Sequence, residues 1–226
     1  MARRTKQDAL ATREALLDAA EGVFEQRGVS RTSLNDIALA AGVTRGAVYW
    51  HFKDKADLFN AMMNRVTLPL ENELEGLAQC TGDPIDALVQ RLARSLAQIA
   101  GDARTQRVLR IATMMVEDVD ELGPVRERHV RVDRVNVERV AQAFERASAL
   151  RGQPLPAPTA QLAEGLHALV RGLVYGWLLQ RPFDLEATSR IAVNAFLRGI
   201  GLPPQEHALP AAAQSGIIAG LPDTRL

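Results

Sequence analysis

The chain of 226 residues has little of what would assign it quickly to a protein class. Cys80 is the single cysteine, which excludes an intramolecular disulfide and a cysteine-based zinc site. The four histidines, His51, His129, His167 and His207, show no metal-ligand spacing. There is no signal-peptide pattern, and no apolar run approaches the length that spans a bilayer. We therefore expect a cytoplasmic protein with no membrane partner, no metal and no cofactor.

Charge of one sign is not in excess either. Lys and Arg together number 27, as do Asp and Glu, so the net charge is zero. A nucleic-acid-binding protein whose whole surface is basic is therefore excluded. Residues 1–65 carry ten basic and eight acidic side chains, and the remainder carries seventeen and nineteen. Arg3, Arg4 and Lys6 precede the first acid, Asp8. This arm either lies along phosphate or in a minor groove, or is a frayed terminus.

Signals for catalysis are absent as well. The sequence contains no phosphate-binding loop and no cysteine–histidine pair at a telling spacing. Glu117, Asp118, Asp120 and Glu121 form an acidic helix end, a pattern that is usually a solvated face. We therefore predict that the protein is not an enzyme, and a helical enzyme is the least favoured alternative.

The segment from Gly28 to Phe59 carries the strongest functional signal. Ser33 precedes an apolar run and Asp36 lies three residues later, which is the spacing of a capping box at a helix start. Apolar residues then recur at intervals of three and four, and Gly42 follows where a left-handed C-terminal cap favours glycine. Thr44 can cap a second helix. The spacing thus predicts two short helices joined by a glycine turn.

The second of these helices, from Thr44 to His51, is more polar and aromatic than a scaffold helix needs to be. Arginine can fork onto guanine, threonine can meet a thymine methyl, and tyrosine, histidine and backbone amides can hold phosphates. Lys55 follows in the first turn of another helix, where we expect its ammonium and the free amides to face one phosphate. The candidate DNA contacts are Arg31, Thr32, Ser33, Thr44, Arg45, Gly46, Tyr49, Trp50, His51, Lys53 and Lys55. The alternative for the aromatic members, Trp50 above all, is packing against the core.

The stretch from Thr12 to Phe59 resembles the DNA-binding domain of the TetR family of bacterial transcriptional repressors. The matching residues are TREALLDAAEGVFEQRGVSRTSLNDIA and AGVTRGAVYWHFKDKADLF. The motif VTRGAVYWHF and the N-terminal segment ARRTK resemble the corresponding sequences of the branch that represses multidrug efflux pumps of the resistance-nodulation-division type. The resemblance is specific for the first quarter of the chain and weak beyond it.

Helical periodicity continues past this region and no strand is predicted. The expected fold is all-α, with an N-terminal three-helix helix-turn-helix domain and a C-terminal helical domain for ligand binding and dimerisation; the resemblance implies about nine helices. The domains are expected at residues 1–54 and 55–202, followed by a Pro/Ala/Gly-rich tail at 203–226. Besides the two short helices, the predicted helices are 8–27, 55–77 with a kink or break at Pro69, 84–100, 105–119, 124–150, 159–179 and 185–199.

Small residues mark the penultimate helix. Gly165, Ala168, Gly172 and Gly176 recur at steps of three and four and would allow another helix to approach closely. The resemblance implies that the last two helices pair with those of a second subunit in a four-helix bundle. We therefore expect a homodimer that reads a palindromic double-stranded operator, with one or two dimers on each operator. The alternative is that these helices pack within one subunit.

The resemblance also implies a hydrophobic cavity in the second domain, whose occupant changes the spacing of the two DNA-reading helices. The candidate lining residues are Leu92, Leu96, Ile111, Met114, Met115, Glu117, Leu166, Val170, Arg171, Val174, Tyr175, Trp177 and Leu178. Methionines adapt to occupants of different shape, and apolar walls with a few polar groups are typical of small-molecule sites. A hydrophobic effector would then release repression of an efflux operon. An activator and a ligand-independent DNA-binding protein remain as alternatives.

Overall fold

The computed structural model describes residues 2–116 and 122–205, and within them it contains nine α-helices and no strand. The predicted all-α fold is confirmed. The helices are α1 (Ala2–Arg27), α2 (Leu34–Ala40), α3 (Arg45–His51), α4 (Lys55–Glu73), α5 (Pro84–Gly101), α6 (Ala103–Met114), α7 (Gly123–Arg151), α8 (Thr159–Gln180) and α9 (Leu185–Gly199). A short 3-10 turn, Leu77–Gln79, lies between α4 and α5.

Three helices differ from the sequence-based expectation. α1 begins at Ala2 rather than at residue 8, since neither glycine nor proline interrupts the chain before Asp8. α4 continues without a break through Pro69, where a kink or a break is predicted, and it ends at Glu73 rather than at residue 77. α6 ends at Met114 rather than at residue 119. The Glu117 side chain and most of the predicted tail, residues 206–226, lie outside the described residues.

The short helices near the N-terminus begin at the predicted caps. Ser33 Oγ accepts a hydrogen bond from the Asp36 amide at 3.2 Å, and Asp36 Oδ2 accepts from the Ser33 amide at 2.9 Å. These hydrogen bonds from Ser33 hold the pKa of the Asp36 carboxyl below its usual range. Thr44 and Asp54 cap α3 and α4 with their side-chain oxygens, and Gly42 adopts φ +68° in the turn. Local chemistry therefore determines where these short helices begin and end.

The buried side chains form three clusters. The first joins α1, α2 and α3 to α4 and α6, and Phe24 and Phe59 meet in it with ring centroids 5.9 Å apart. The second holds α5, α7, α8 and α9 together, and the third surrounds Leu96 and Trp177. The first cluster crosses residue 54, where the domain boundary is predicted, because Leu58 and Ile111 belong to it. The boundary itself stays a prediction.

Charged side chains reinforce the contact of α1 with α4 and α6. The Glu21 side chain is only 3% exposed, and its carboxylate accepts from Arg65 Nη1 at 3.2 Å and Arg104 Nε at 2.8 Å. Asp18, one turn earlier, pairs with the same two arginines. Burial raises the pKa of Asp18, but the two guanidinium groups outweigh it and keep the pKa below its usual value. We call these four residues the Glu21 network.

None of the helices in the described ranges has both the length and the apolar character that crossing a bilayer demands.

Candidate DNA interface

A groove of about 690 Å³ separates the segment at the start of α2 from the junction of α3 and α4. We call it the α2–α3 groove. One wall is formed by Ser30, Arg31, Thr32, Ser33, Leu34 and Asn35, and the other by Arg45, Tyr49, Lys53, Asp54 and Lys55. Most of the predicted DNA contacts are thus brought together here. Arg31, Arg45 and Lys53 are exposed, so three cationic side chains border the groove.

The groove also contains residues that sequence reasoning missed. Asn35 is exposed beside Ser33 on the α2 wall. The sequence feature that could have identified Asn35 as a candidate DNA contact is its position in the first turn of a capped helix, where exposed polar side chains can reach a bound phosphate. Ser30 precedes Arg31 on the same wall, and nothing in the local pattern marks it.

The outer face of α3 is formed by large side chains directed to solvent. Val48 is the buried residue of this helix, and Phe52 at its end is buried beneath it. Tyr49 is 49% exposed and Trp50 is 73% exposed. Packing of Trp50 against the core, the alternative left open by the sequence, is therefore not observed. An indole so exposed on a short helix is a feature of interaction surfaces.

Arg45 is oriented by the residue one turn along α3. Its Nη2 donates to the Tyr49 hydroxyl at 3.2 Å, and its guanidinium lies 5.5 Å from the centre of the Tyr49 ring. The hydrogen bond to Tyr49 raises the pKa of Arg45 above its ordinary value. A charged, planar donor held in this way can form the two parallel hydrogen bonds that distinguish guanine in a major groove.

His51 lies at the end of the same helix. Its ring meets Trp50 edge to face, with ring centroids 4.6 Å apart. Partial burial and then the nearby Arg13 guanidinium lower the pKa of His51 below the usual value for histidine. The lowered pKa favours the neutral imidazole, which can offer one donor and one acceptor. Thr44 and Gly46, at the start of the helix, are exposed.

Two predicted contacts are turned inward. Thr32 is 1% exposed, and its hydroxyl donates to the Gly28 carbonyl oxygen at 2.7 Å. Lys55 is 5% exposed, and its ammonium donates to the carbonyl oxygens of Ser30 at 3.1 Å and Thr32 at 3.0 Å. We expected the Lys55 ammonium to face a phosphate. It instead satisfies the carbonyls of a segment that folds across the start of α4, which local sequence cannot reveal.

The candidate effector residues divide among the three clusters. Ile111 and Met115 belong to or pack against the first cluster, and the Met115 carbonyl oxygen accepts from the Val29 amide at 3.2 Å. Leu166 is in the second cluster and Leu92 packs against it, and Val170 contacts both the second and the third. The remaining apolar candidates of the third cluster are Leu96, Met114, Val174, Trp177 and Leu178. The predicted set is thus distributed over three clusters, with Val170 in contact with the second and the third, and the effector site stays a prediction.

The two polar candidates of α8 that the structure describes are exposed. Arg171 Nη1 donates to Asp133 Oδ2 at 2.8 Å, and Tyr175 is 45% exposed. Asp133 also approaches His129 and His167. Burial raises the pKa of Asp133, but hydrogen bonding to His167 and the neighbouring positive charges outweigh it and keep the pKa low. Over residues 2–116 and 122–205, no group of three or more His, Cys, Asp or Glu side chains is placed to hold a metal ion.

The short capped helices, the glycine turn and the exposed face of α3 define a helix-turn-helix DNA-binding protein. The model of bacterial regulatory proteins of the tetR family matches residues 16–62, which span this unit. The HTH-type transcriptional regulator AcrR of Shigella flexneri is 36% identical over 199 residues, or 87% of this chain and 93% of AcrR. The HTH-type transcriptional repressor BepR of Brucella suis biovar 1 is 35% identical over 204 residues, or 89% and 97% of the two chains.

Solved structures agree with these sequence relatives. NalD, the secondary repressor of the MexAB-OprM multidrug efflux pump in Pseudomonas aeruginosa, superimposes with a TM-score of 0.78 at 36% identity, over 86% of this chain and 98% of NalD. A SmeT–triclosan complex superimposes with a TM-score of 0.76 at 30% identity, over 94% and 100% of the two chains. The chain therefore belongs to the tetR family of bacterial regulatory proteins, which are transcriptional regulators and not enzymes.

Proposed function

We propose that this protein is a ligand-responsive transcriptional repressor that binds a palindromic operator as a homodimer and controls a multidrug efflux operon. The observation that carries the proposal is the outward face of α3, where Arg45, Tyr49 and Trp50 lie beside a groove bordered by basic side chains. The relatives AcrR, BepR and NalD are named as regulators or repressors, and NalD as a repressor of an efflux pump. Operator binding would place the protein in the bacterial cytoplasm.

The DNA contacts divide into base reading and phosphate binding. α3 enters the major groove, where Arg45 hydrogen-bonds to a guanine and Thr44 contacts a neighbouring base. The α2–α3 groove receives the sugar–phosphate backbone between Arg31 and Ser33 on one side and Lys53 on the other. Gly46 allows close approach of the helix, and the aromatic face of Trp50 packs on the deoxyribose. Reading by two such helices supplies a site long enough to be specific.

Exposed apolar side chains on α8 and α9 support the homodimer. Ile191 on α9 is 65% exposed and Leu179 on α8 is 53% exposed, and Gly172 of α8 is also exposed. Such a face is suited to the burial of apolar area between two copies of the chain. Part of the small-residue set has a different use, since the Phe196 ring lies 3.4 Å from where a Cβ on Gly165 would be. Gly165 therefore permits packing of α8 against α9 within one subunit.

The effector we propose is a small apolar compound, and triclosan is the first to test because a structure of the related SmeT is of its complex with triclosan. The third cluster offers an aromatic and aliphatic surface, including Trp177 and the adaptable side chain of Met114. An effector that prefers the DNA-free form a hundredfold would shift the equilibrium by about 2.7 kcal/mol. It would act by changing the separation of the two α3 helices in the dimer.

The experiment is binding of the purified protein to fragmented genomic DNA at physiological salt, followed by sequencing of the bound DNA. We expect a palindromic motif upstream of an efflux operon, and an increase in the Kd for that motif when triclosan is added. A reporter gene behind the motif then separates repression from activation. Weak, sequence-independent binding would contradict the repressor proposal, and effector affinity equal with and without operator would contradict ligand response.

A further inference from the structure

Lys55 is the cation of the α2–α3 groove that differs most from its neighbours. Arg31, Arg45 and Lys53 are exposed, whereas Lys55 is 5% exposed. A lysine is almost never this buried unless its ammonium has partners. Here the ammonium donates to two carbonyl oxygens of the opposite wall, those of Ser30 and Thr32. The groove thus has exposed cations along its border and a buried cation between its walls.

We propose that Lys55 is a positioning residue, which sets the separation of the two walls of the α2–α3 groove and does not bind DNA phosphate itself. The proposal rests on the DNA-binding function proposed above. This role differs from the one expected from the sequence, in which the Lys55 ammonium faces a phosphate. In this role a single side chain determines the position of α2, which binds the DNA backbone, relative to α3, which reads bases.

The connectivity of the walls shows why one ammonium can have this effect. Lys55 is in the first turn of α4, and α4 follows α3 after a short connection that includes Lys53. The hydrogen bonds of Lys55 reach a segment 23 to 25 residues earlier in the chain, between α1 and α2. That segment carries Arg31 and Ser33, whose side chains are exposed at the groove. The Lys55 ammonium therefore links the segment that carries Arg31 and Ser33 on one wall to the first turn of α4 on the other wall.

The partners of Lys55 also oppose its movement toward DNA. Two of the three N–H donors of the ammonium are engaged by carbonyl oxygens in charge-assisted hydrogen bonds, and Lys55 is only 5% exposed. Contact with a phosphate therefore requires the ammonium to move out from between the walls and away from those oxygens. A buried carbonyl that loses its donor is costly, so the exchange offers little gain. The segment is further held from its own side, because the Thr32 hydroxyl donates to the Gly28 carbonyl oxygen. Arg31 and Lys53 reach solvent without any such loss.

A phosphate ligand and a positioning residue have different effects on binding. Each phosphate contact contributes about 0.9 to the slope of log K against log salt concentration on duplex DNA, whatever the sequence. A positioning residue changes the geometry of base reading, so its loss reduces discrimination between operator and other sequences. The slope and the discrimination ratio therefore separate the two roles. Lys53 provides a matched control, since it is exposed and lies two residues away on the same groove.

The experiment measures operator Kd from low to high salt for the full-length wild type, K55M, K53M and K55R. Each protein is also tested on a duplex with one substituted base pair in each half-site. We expect K53M to reduce the slope by about 0.9 for each phosphate that the lysine neutralises in the wild type, and to weaken both duplexes alike. We expect K55M to change the slope by less than half as much and to lower the operator preference about tenfold. K55R keeps donors for two carbonyls and should restore most of the preference.

A K55M slope change as large as that of K53M would overturn the proposal, and so would an unchanged preference in K55M. If K55M does not fold, nuclear magnetic resonance of wild-type protein with ¹⁵N-labelled lysine supplies the answer. We expect the Lys55 ammonium signal to be the same in free and operator-bound protein, whereas a ¹⁵N–³¹P coupling at Lys55 would overturn the proposal. If the wild type shows no sequence preference, the repressor proposal fails, while the salt slopes on nonspecific DNA still test for phosphate contact by Lys55.

Discussion

The outer face of α3 and the Glu21 network use arginine in opposite ways. On α3, Arg45 is exposed and is oriented by a hydrogen bond to Tyr49 one turn away. In the Glu21 network, Arg65 and Arg104 converge on a carboxylate that is 3% exposed and that belongs to another helix. The first arrangement leaves a charge available to a partner. The second uses charge to fix how three helices of the same chain lie together.

This difference teaches that exposure, rather than residue type, separates the two roles. An exposed ion pair or hydrogen bond adds little to folding stability, so Arg45 is free to serve recognition. A buried carboxylate is costly unless it is paired, so the partners of Glu21 are required for the fold. Three changes, given from the largest expected effect to the smallest, test the comparison.

Glu21→Gln should have the largest effect on stability. It removes the buried charge shared by Arg65 and Arg104 while keeping the shape of the side chain. Removing one partner of a buried pair typically costs 3–5 kcal/mol, and the partial exposure of Arg104 reduces our expectation to about 2–3 kcal/mol. Urea unfolding followed by circular dichroism measures the change.

Glu14→Gln is the matched control. Glu14 pairs with Arg65 at 2.9 Å, but its side chain is 50% exposed. We expect a loss of less than about 1 kcal/mol there. Equal losses in the two variants would show that burial does not distinguish the Glu21 network from a surface ion pair.

Arg45→Ala should leave stability almost unchanged and act on DNA binding. We expect a loss of about 1–3 kcal/mol in operator binding and relaxed preference at one base position in each half-site. Binding to a set of operators with single base-pair substitutions measures both quantities. Tyr49→Phe is the control, because it removes only the hydroxyl that accepts from Arg45. Unchanged affinity and preference in Arg45→Ala would contradict a base-reading role.

His51 should produce the smallest effect, a dependence of binding on pH. Its pKa is lowered in the free protein, so the imidazole stays neutral until the pH falls below the usual histidine value of about 6.5. Nearby DNA phosphate favours the imidazolium, so the pKa rises on binding and affinity increases as the pH falls. We expect operator Kd to tighten a few-fold, about 1 kcal/mol or less, between pH 7.5 and pH 6.

The same group has the opposite effect on folding. Since the pKa of His51 is lower in the folded than in the unfolded chain, its contribution to stability is present above about pH 6.5 and is lost as the pH falls. His51→Gln should abolish both dependences. Titration of operator binding at constant ionic strength tests this, and a pH dependence that persists in His51→Gln would assign it to another group.

The parts of the fold that local chemistry determines could be predicted from the sequence. The cap at Ser33, the glycine turn at Gly42 and the cap at Thr44 all depend on neighbours within a few residues, and all are present. Most helix ends agree with the predicted bounds to within a few residues, because caps and periodicity are local signals. The same periodicity predicted the exposed polar residues of α3, but it left open whether the aromatic side chains, Trp50 above all, pack against the core.

The parts that depend on distant residues could not be predicted. Lys55 contacts residues 23 and 25 positions away, and Arg104 lies 83 positions from Glu21. No local pattern distinguishes such a lysine from one that faces solvent. The grouping of the effector candidates could not be predicted for the same reason, since which of Ile111, Leu92 and Leu96 share a cluster depends on how the long helices pack. The effector site stays a prediction.

The hydrogen bond from the Val29 amide to the Met115 carbonyl oxygen has a consequence for protein engineering. It joins the end of α6 to the segment before α2 through main-chain atoms alone, so its formation does not require any particular side chain at either position. Side chains around α6 can then be exchanged to suit another effector without removing this link. A chimaera that grafts a foreign sensor domain onto this DNA-binding unit should accordingly preserve the path of the backbone at residue 115, whatever sequence surrounds it.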